Sequence, residues 1–434
     1  MKKSIETVIN SKMYPSLIVY LRESSSLAEE IYNQALFVQR QLYISYNRDE
    51  DTLSDNEKEV LHNISRIGIS HYKYLGYTSL ERYMREYHHD LFKRNMSSQC
   101  VQNIIRQVCR DMKSYKEALD EYYKDPDKFL EMPQLPGYSK KKCKSYFITN
   151  QDAHIYHKDD GYYLKFPYIK DRLYIGEALP DLFKKMKQVN IRRYYDTFKI
   201  SIVYDTDVKE TRYRGEGIIG IDLGVDNFIA IAGMNESILV NGKVIKSRNQ
   251  YYNKEKARLY SIYDRQSGDT RHRNGRKLRQ LNKKRSNWMN NYMHHCSRYV
   301  VNYCRAHSVG TIVIGKNDGW KQKSSLGRKT NQEFVSIPYN TFINLLRYKC
   351  KEEGIELIET EESYTSRCSY KDRDDMVNGK TTGKRVSRGL YQNRDGTIIN
   401  ADINGAANII RKVYEEISIP LESLQKVKRI NVAW

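Results

Sequence analysis

Between Val101 and Met112 apolar side chains recur at 101, 104, 105, 108, 109 and 112, a single stripe at the 3.6-residue period. Ser97 and Ser98 stand where a helix N-cap would, so the pattern predicts a core-facing helix. The segment PQLPGYSKKKCKSYFITNQ (133–151) breaks that periodicity with prolines, a glycine and a lysine run. Beyond it the period falls to two. In DTFKISIVY (196–204), Phe198, Ile200, Ile202 and Tyr204 share one face while Lys199 and Ser201 take the other, so a β-rich module is expected over about 133–210.

From residue 217 the pattern predicts more. GIIGIDLGVDNFIAIAG reads as a strand rich in β-branched residues, and SILVNGKVIKS places Asn241-Gly242 between two short apolar runs. Asn-Gly there predicts a two-residue hairpin, because a type I′ turn needs positive φ at both central positions. Three antiparallel strands are expected. A long basic helical region follows over about 251–307, then a short buried-type strand, TIVIG (311–315). Ile337-Pro338 opens a helix over about 339–353 that stops at Gly354, IELIE (355–359) is a further strand, and NADINGAANIIRKVYEE (400–416) is a last helix. The order βββ, α, β, α, β, α is that of an RNase H-like domain, on which acids at strand ends and on the last helix converge.

Charge narrows the partner. The 434 residues hold 74 Lys+Arg against 53 Asp+Glu, a formal +21, which points to a polyanion. Lys254 to Arg285 alone carries a net +9, too large an imbalance for internal i, i+4 pairs to neutralise, so phosphate contacts are expected there. The candidate nucleic-acid contacts are Lys254, Lys256, Arg258, Arg271, Arg273, Arg276, Lys277, Arg279, Lys283, Lys284 and Arg285. No apolar run approaches the ~20 residues of a membrane span, and no apolar core follows the two N-terminal lysines, so a cytoplasmic location without a membrane partner is expected. Seven cysteines without any C-x-x-C pair argue against a disulfide framework and against structural zinc.

Asp222 in GIDLG follows a buried strand and precedes a glycine, so its carboxylate should emerge at a strand end. Asp402 in NADINGAAN opens a helix whose Gly405, Ala406 and Ala407 would let it pack close to the sheet. Carboxylates brought together from distant parts of a chain suit two Mg²⁺ ions roughly 3.5–4 Å apart, which activate water and stabilise the leaving oxygen of a phosphodiester.

These motifs together resemble the TnpB (OrfB) proteins of insertion sequences, RNA-guided nucleases related to the miniature type V CRISPR effectors. GIDLGVDNFIAIA resembles the first RuvC motif, TIVIG the second-motif strand, SYTSRCS the start of the zinc-finger insertion and NADINGAANIIRK the third RuvC motif. KLRQLNKKRSNWMNNYMHHCSRYVVNYC resembles the basic helices, and SSQCVQNIIRQV and PQLPGYSKKK the helical recognition domain and the entry to the barrel. The resemblance implies an α+β multidomain chain: a helical recognition region (1–131, with the first 15–20 residues open to joining the barrel), a β-barrel wedge region (132–214), and an RNase H-like (RuvC) α/β nuclease domain (215–434) with a degenerate zinc-finger insertion at about 364–396. It implies an RNA-guided DNA endonuclease acting beside a short duplex motif, with guide RNA and target double-stranded DNA as partners and two Mg²⁺ ions on Asp222, Asp402 and a third acid.

Two departures matter. The family's second-motif strand usually ends in glutamate, but here the position is Gly315. On an adjacent strand, Glu362 is the expected substitute and Glu361 the alternative; strand alternation places them on opposite faces, so only one can serve. Glu333 is a more distant candidate. The family's paired C-x-x-C zinc ligands are reduced to Cys368, so a metal-free loop or hairpin is expected. Gly315 also supports an alternative, a nuclease-inactive RNA-guided DNA-binding protein, while an unguided nuclease or integrase of this fold is opposed by the long lobe before residue 215.

Overall fold

The computed structural model describes residues 2–70, 73–140, 143–158, 160–206, 215–267, 275–316, 336–387 and 389–432. Glu333, Arg271 and Arg273 lie outside them. The chain divides into two compact units, Met1–Asp207 and Val208–Trp434.

The first unit combines helices α1 (Pro15–Ser45), α2 (Asp55–Arg66), α3 (Tyr77–Tyr87), α4 (Asp90–Lys93) and α5 (Ser98–Lys124) with strands β1 (Lys2–Val8), β2 (Tyr146–Thr149), β3 (His154–Lys158), β4 (Gly161–Lys165), β5 (Arg172–Gly176), β6 (Phe183–Tyr194) and β7 (Thr197–Thr206). Ser97 caps α5 by accepting the Cys100 N–H, and the helix buries Val101, Ile104, Ile105, Val108 and Met112. The sequence stripe is therefore the face that packs. Ser54 and Glu57 close a reciprocal capping box on α2. Strand β1 pairs antiparallel with β7, in a sheet ordered β1-β7-β6-β2 among the described residues; β3, β4 and β5 form a second sheet.

The second unit is built on a mixed sheet ordered β12-β11-β8-β9-β10-β16 among the described residues. Its strands are β8 (Gly217–Leu223), β9 (Asn227–Ala232), β10 (Ser237–Asn241), β11 (Val309–Gly315), β12 (Glu356–Thr360) and β16 (Val427–Ile430); β13 (Lys384–Ser387), β14 (Leu390–Gln392) and β15 (Ile398–Asn400) pair separately. The helices are α6 (Lys243–Ser267), α7 (Arg276–Ala306), α8 (Tyr339–Glu353), α9 (Ala401–Val413) and α10 (Leu421–Gln425). An antiparallel meander, β8-β9-β10, continues on its other side through parallel β11 and β12, which is the strand order of an RNase H-like sheet. Sheet residues Ile219, Ile221, Ile312 and Ile314 share a core with Met293 and Val300 of α7 and Phe342 and Leu346 of α8. On the opposite face, Ala230, Ala232 and Leu239 pack against Ile403, Ala406, Ala407 and Ile410 of α9. Burial from both sides explains why these strands are continuously apolar instead of alternating. Gly354 ends α8 at φ 73°, a left-handed cap that favours glycine.

The Asn241-Gly242 hairpin is not formed. β10 ends at Asn241, whose Oδ1 accepts the Lys243 N–H at 2.9 Å, and KVIKS begins α6. Gly242 does not adopt positive φ. A Cβ there would stand 2.2 Å from the Val225 carbonyl oxygen, and its N–H donates to the Asp226 carbonyl at 2.8 Å, so close backbone approach selects the glycine. Three antiparallel strands do form, but not the expected three: GIIGIDLGVDNFIAIAG divides into β8 and β9, SILVN is the third, KVIKS is helical, and the turns fall at 224–226 and 233–236. Among the described residues no helix is long and apolar enough to cross a membrane.

Helix α9 touches β8 with no side chain between them at Gly220, where a Cβ would stand 2.0 Å from the Ala406 carbonyl oxygen and 2.8 Å from Ile410 Cγ1. Backbone cannot yield as a flexible side chain can. Gly220→Ala is expected to lift α9 from the sheet and destabilise the protein by about 1–3 kcal/mol or more, read as a lower midpoint in urea; an unchanged midpoint would contradict the close approach.

Candidate active site

Asp222 lies near the end of β8, opposite Ala230 of β9. Its Oδ2 sits beneath Gly405 of α9, where a Cβ would approach it to 2.8 Å. Burial, and next the negative charge of Asp402, push the Asp222 carboxyl up to about 7, against the opposing pull of Arg385 and of the Leu223 N–H. Asp402 occupies the first turn of α9, where a carboxylate is favoured by the helix dipole. Asn400 caps that turn by accepting the N–H groups of Asp402 and Ile403. Asp402 Oδ2 accepts a hydrogen bond from Asn227 Nδ2 at 2.7 Å, and Oδ1 lies 3.9 Å from the Arg385 guanidinium. Asp402, Asn227 and Arg385 line a cavity of about 620 Å³ together with Lys243 and Arg429. The structure thus brings Asp222 and Asp402 into electrostatic contact from positions 180 residues apart in the sequence.

Gly315 ends β11, beside β8 on one side and β12 on the other. Ile314 is in register with Ile221, so Gly315 follows Ile314 as Asp222 follows Ile221. A Cβ on Gly315 would meet Ile409 Cδ1 at 2.7 Å, Glu362 Oε2 at 2.8 Å and Glu362 Cβ at 3.2 Å. The Glu362 carboxylate therefore lies where a side chain at 315 would be. Its charge and that of Asp222 both reach the buried Tyr339, whose hydroxyl donates to the Gly224 carbonyl at 3.0 Å and whose own pKa burial and those charges raise. Glu361 points elsewhere: it pairs with Lys412 at 2.8 Å and accepts the Ser363 N–H. Although burial raises its pKa, these partners bring it below the ordinary carboxylate value. No group of three or more His, Cys, Asp or Glu side chains is gathered at metal-binding distance among the described residues.

The far side of α9 holds the segment that follows β12. Asn404 accepts the Tyr370 N–H and donates to the Cys368 carbonyl, and Asn408 donates to the carbonyls of Thr365 and Cys368. Buried Asp374 accepts from Ser369 N–H at 2.7 Å, Thr382 N–H at 3.1 Å and the Thr382 hydroxyl at 2.6 Å, while its carbonyl takes a bond from Arg411. Cys368 is buried, with its sulfur 3.8 Å from the Asp375 carbonyl oxygen. None of Asn227, Tyr339, Arg385 or Asp374 was singled out from sequence; Asn227 alone carried a signal, as a polar residue directly after the GIDLGVD turn.

The basic stretch spans α6 and the start of α7. Lys254, Arg258, Arg276, Lys277 and Lys284 are exposed, Lys256, Arg279 and Lys283 half-buried. Arg258 pairs with Glu255. Arg285 is committed internally, to Asn249 Oδ1 and the Ser336 carbonyl, both at 2.9 Å.

The fold and these carboxylates define an α+β multidomain protein with the strand ends of an RNase H-like sheet as its candidate site. Family models match twice, a probable transposase of the OrfB IS605 type over residues 201–321 and the TNB domain of Cas12f1-like proteins over 339–409. The CRISPR-associated endodeoxyribonuclease Cas12f1 of Sulfoacidibacillus thermotolerans is 26% identical over 56% of this chain and 55% of its own length. The TnpB-like protein ORF457 of Acidianus two-tailed virus is 24% identical over 50% of this chain and 47% of its own. The chain spans about half the length of these curated relatives. A solved Cas12f1-sgRNA-target DNA complex contains a chain of similar fold, with a TM-score of 0.55 at 15% identity, covering 92% of this chain and 86% of that one. Over the parts matched, the chain is thus similar to the TnpB (OrfB) proteins and the miniature type V effectors.

Removing the Asp374 carboxylate leaves the buried Ser369 N–H without an acceptor, at about 1–3 kcal/mol, and releases the exposed Thr382. Asp374→Ala is expected to open the 369–383 segment to limited proteolysis while the α1 and α5 region stays protected. Unchanged resistance of that segment would show that other contacts hold it.

Proposed function

We propose that this chain is an RNA-guided DNA endonuclease that hydrolyses target phosphodiesters in its RuvC-like unit, with Asp222, Asp402 and Glu362 as Mg²⁺ ligands. The observation that carries the reading is the Glu362 carboxylate in the space of a side chain at Gly315, beside the strand of Asp222. An acid is supplied where the motif lacks one. All three candidates are carboxylates, the hard oxygen donors that Mg²⁺ takes, and burial followed by the Asp402 charge raises the pKa of Asp222. Mg²⁺ held there would supply an activated water and charge stabilisation at the leaving oxygen. The chain's own residues do the positioning. Asn227 orients Asp402, Tyr339 ties down the turn at Gly224, and Gly220 and Gly405 let α9 approach closely enough for Asp402 to face Asp222. Arg385, half-exposed beside Asp402, offers a cation toward a scissile phosphate.

Guide RNA and target double-stranded DNA are the proposed partners. The formal +21 supports both, as do the nucleases and the RNA–DNA complex among the relatives. In such a protein base pairing reads sequence while basic surfaces hold backbones. A second reading, guided DNA binding without cleavage, rests on Gly315, which stands where the second-motif glutamate is expected.

The test is cleavage of a plasmid matched to the RNA that co-purifies with the chain, in Mg²⁺ and in EDTA. Asp222→Ala and Asp402→Ala are expected to abolish cutting, and Glu362→Ala to reduce it at least 100-fold while Glu361→Ala leaves it nearly intact. Gly315→Glu alone should be inactive because its side chain collides with Glu362, and Gly315→Glu with Glu362→Ala should recover activity. Full cutting by Glu362→Ala would refute its role, and tight guided binding with no Mg²⁺-dependent cutting by the unaltered protein would establish the second reading.

A further inference from the structure

Helices α6 and α7 enclose a cavity of about 390 Å³ that the cleavage reading does not use. Arg248, Tyr251, Tyr252, Glu255 and Leu259 recur on one face of α6 at helical spacing, and Lys277, Leu281, Lys284 and Trp288 do so on α7. The α7 wall alternates lysines with Leu281 and Trp288, while the α6 wall carries Tyr251, Tyr252 and Glu255 between Arg248 and Arg258. The deep part is apolar, with Leu259 buried and Trp288 stacked on Tyr292 at 5.2 Å and 8° between planes. Arg248 lies over the Trp288 ring at 5.3 Å. Tyr252 is fixed by its hydroxyl on Asn282 and by Arg285, 4.8 Å from its ring. The walls are thus held in place by contacts that do not involve a ligand. Tyr251 is different: its ring is 59% exposed. Lys277 and Lys284 are exposed beside it, with no side-chain partner among the described residues.

We propose that this cavity receives one unpaired nucleobase of a nucleic-acid strand, with the flanking phosphates on Lys277, Lys284 and Arg248. The shape and lining select that ligand. A bare phosphate would leave the rings and leucines of the lining unused, and an apolar ligand would leave the cations unused. A base joined to a charged backbone satisfies both, because its faces stack on aromatic rings while its phosphates meet the lysines. Glu255, held by Arg258 at 3.0 Å, and Gln280 present polar atoms to base edges. About 390 Å³ falls at the small end of ligand pockets, enough for a single nucleotide's base and sugar. This pocket does not depend on the carboxylate site, so a protein unable to cut would retain it.

The experiment uses the full chain stripped of bound RNA and labelled ten-nucleotide oligomers, ribo and deoxyribo, each with bases intact or with abasic residues of the same length and charge. Anisotropy is expected to show the abasic oligomer binding about 10-fold more weakly than the intact one. Tyr251→Ala, at an exposed position that leaves folding alone, should erase most of that difference, and Leu281→Trp, which fills the cavity, should do the same. Lys277→Ala with Lys284→Ala should weaken intact and abasic oligomers alike and flatten the salt dependence. Preference for the ribo or the deoxyribo series assigns the strand to RNA or DNA. Equal affinity for intact and abasic oligomers, or a ratio unmoved by both Tyr251→Ala and Leu281→Trp, would overturn the proposal, whatever the outcome of the cleavage assay.

Discussion

The candidate site depends on one close approach. Helix α9 lies on β8 at Gly220 with room for nothing larger than hydrogen, and at Gly405 the helix leaves space for the Asp222 carboxylate. Interiors packed this tightly resist even one added methyl group. The consequence is electrostatic as well as steric. A helix N-terminus and its Asp402 are brought against a strand end bearing Asp222, whose carboxyl is pushed up by burial and then by the Asp402 charge. Asn227 and Arg385 each engage Asp402, so the repulsion is partly answered by the protein itself.

Much of this arrangement was legible in the sequence because its signals are local and periodic. The 101–112 stripe gave a helix and its buried face, Gly354 a stop, and the small residues after Asp402 the close packing of α9. Alternation separated Glu361 from Glu362, and the structure puts one on Lys412 and the other on Gly315. What escaped was set by distance or by context. Asn241-Gly242 has the local chemistry of a hairpin, but the backbone of the 225–226 turn lies against Gly242 and the chain leaves as a helix. Asn227 meets Asp402, and Arg285 meets Asn249 and Ser336, across separations that no periodicity encodes. Pairing of β1 with β7 joins residues nearly 200 apart, which left the first residues open between two regions.

Charge is also organised more finely than the net +21 suggests. Cations on α6 and α7 are not a uniform solvated face: Arg285 and Arg248 brace aromatic rings, Arg258 holds Glu255, and Lys277 and Lys284 face outward. Near Asp402, by contrast, Lys243, Arg385 and Arg429 surround a cavity that includes a carboxylate. The same residue types brace the fold in one place and remain open to a polyanion in another.

Gly315 and Glu362 occupy one space, and that exclusivity bears on how such a site could change over time. A side chain at 315 must displace both the flexible end of Glu362 and the Ile409 methyl group before it has room. Exchange of one arrangement for the other is therefore easiest when positions 315 and 362 change together, with the acid leaving one strand end as it arrives at the other.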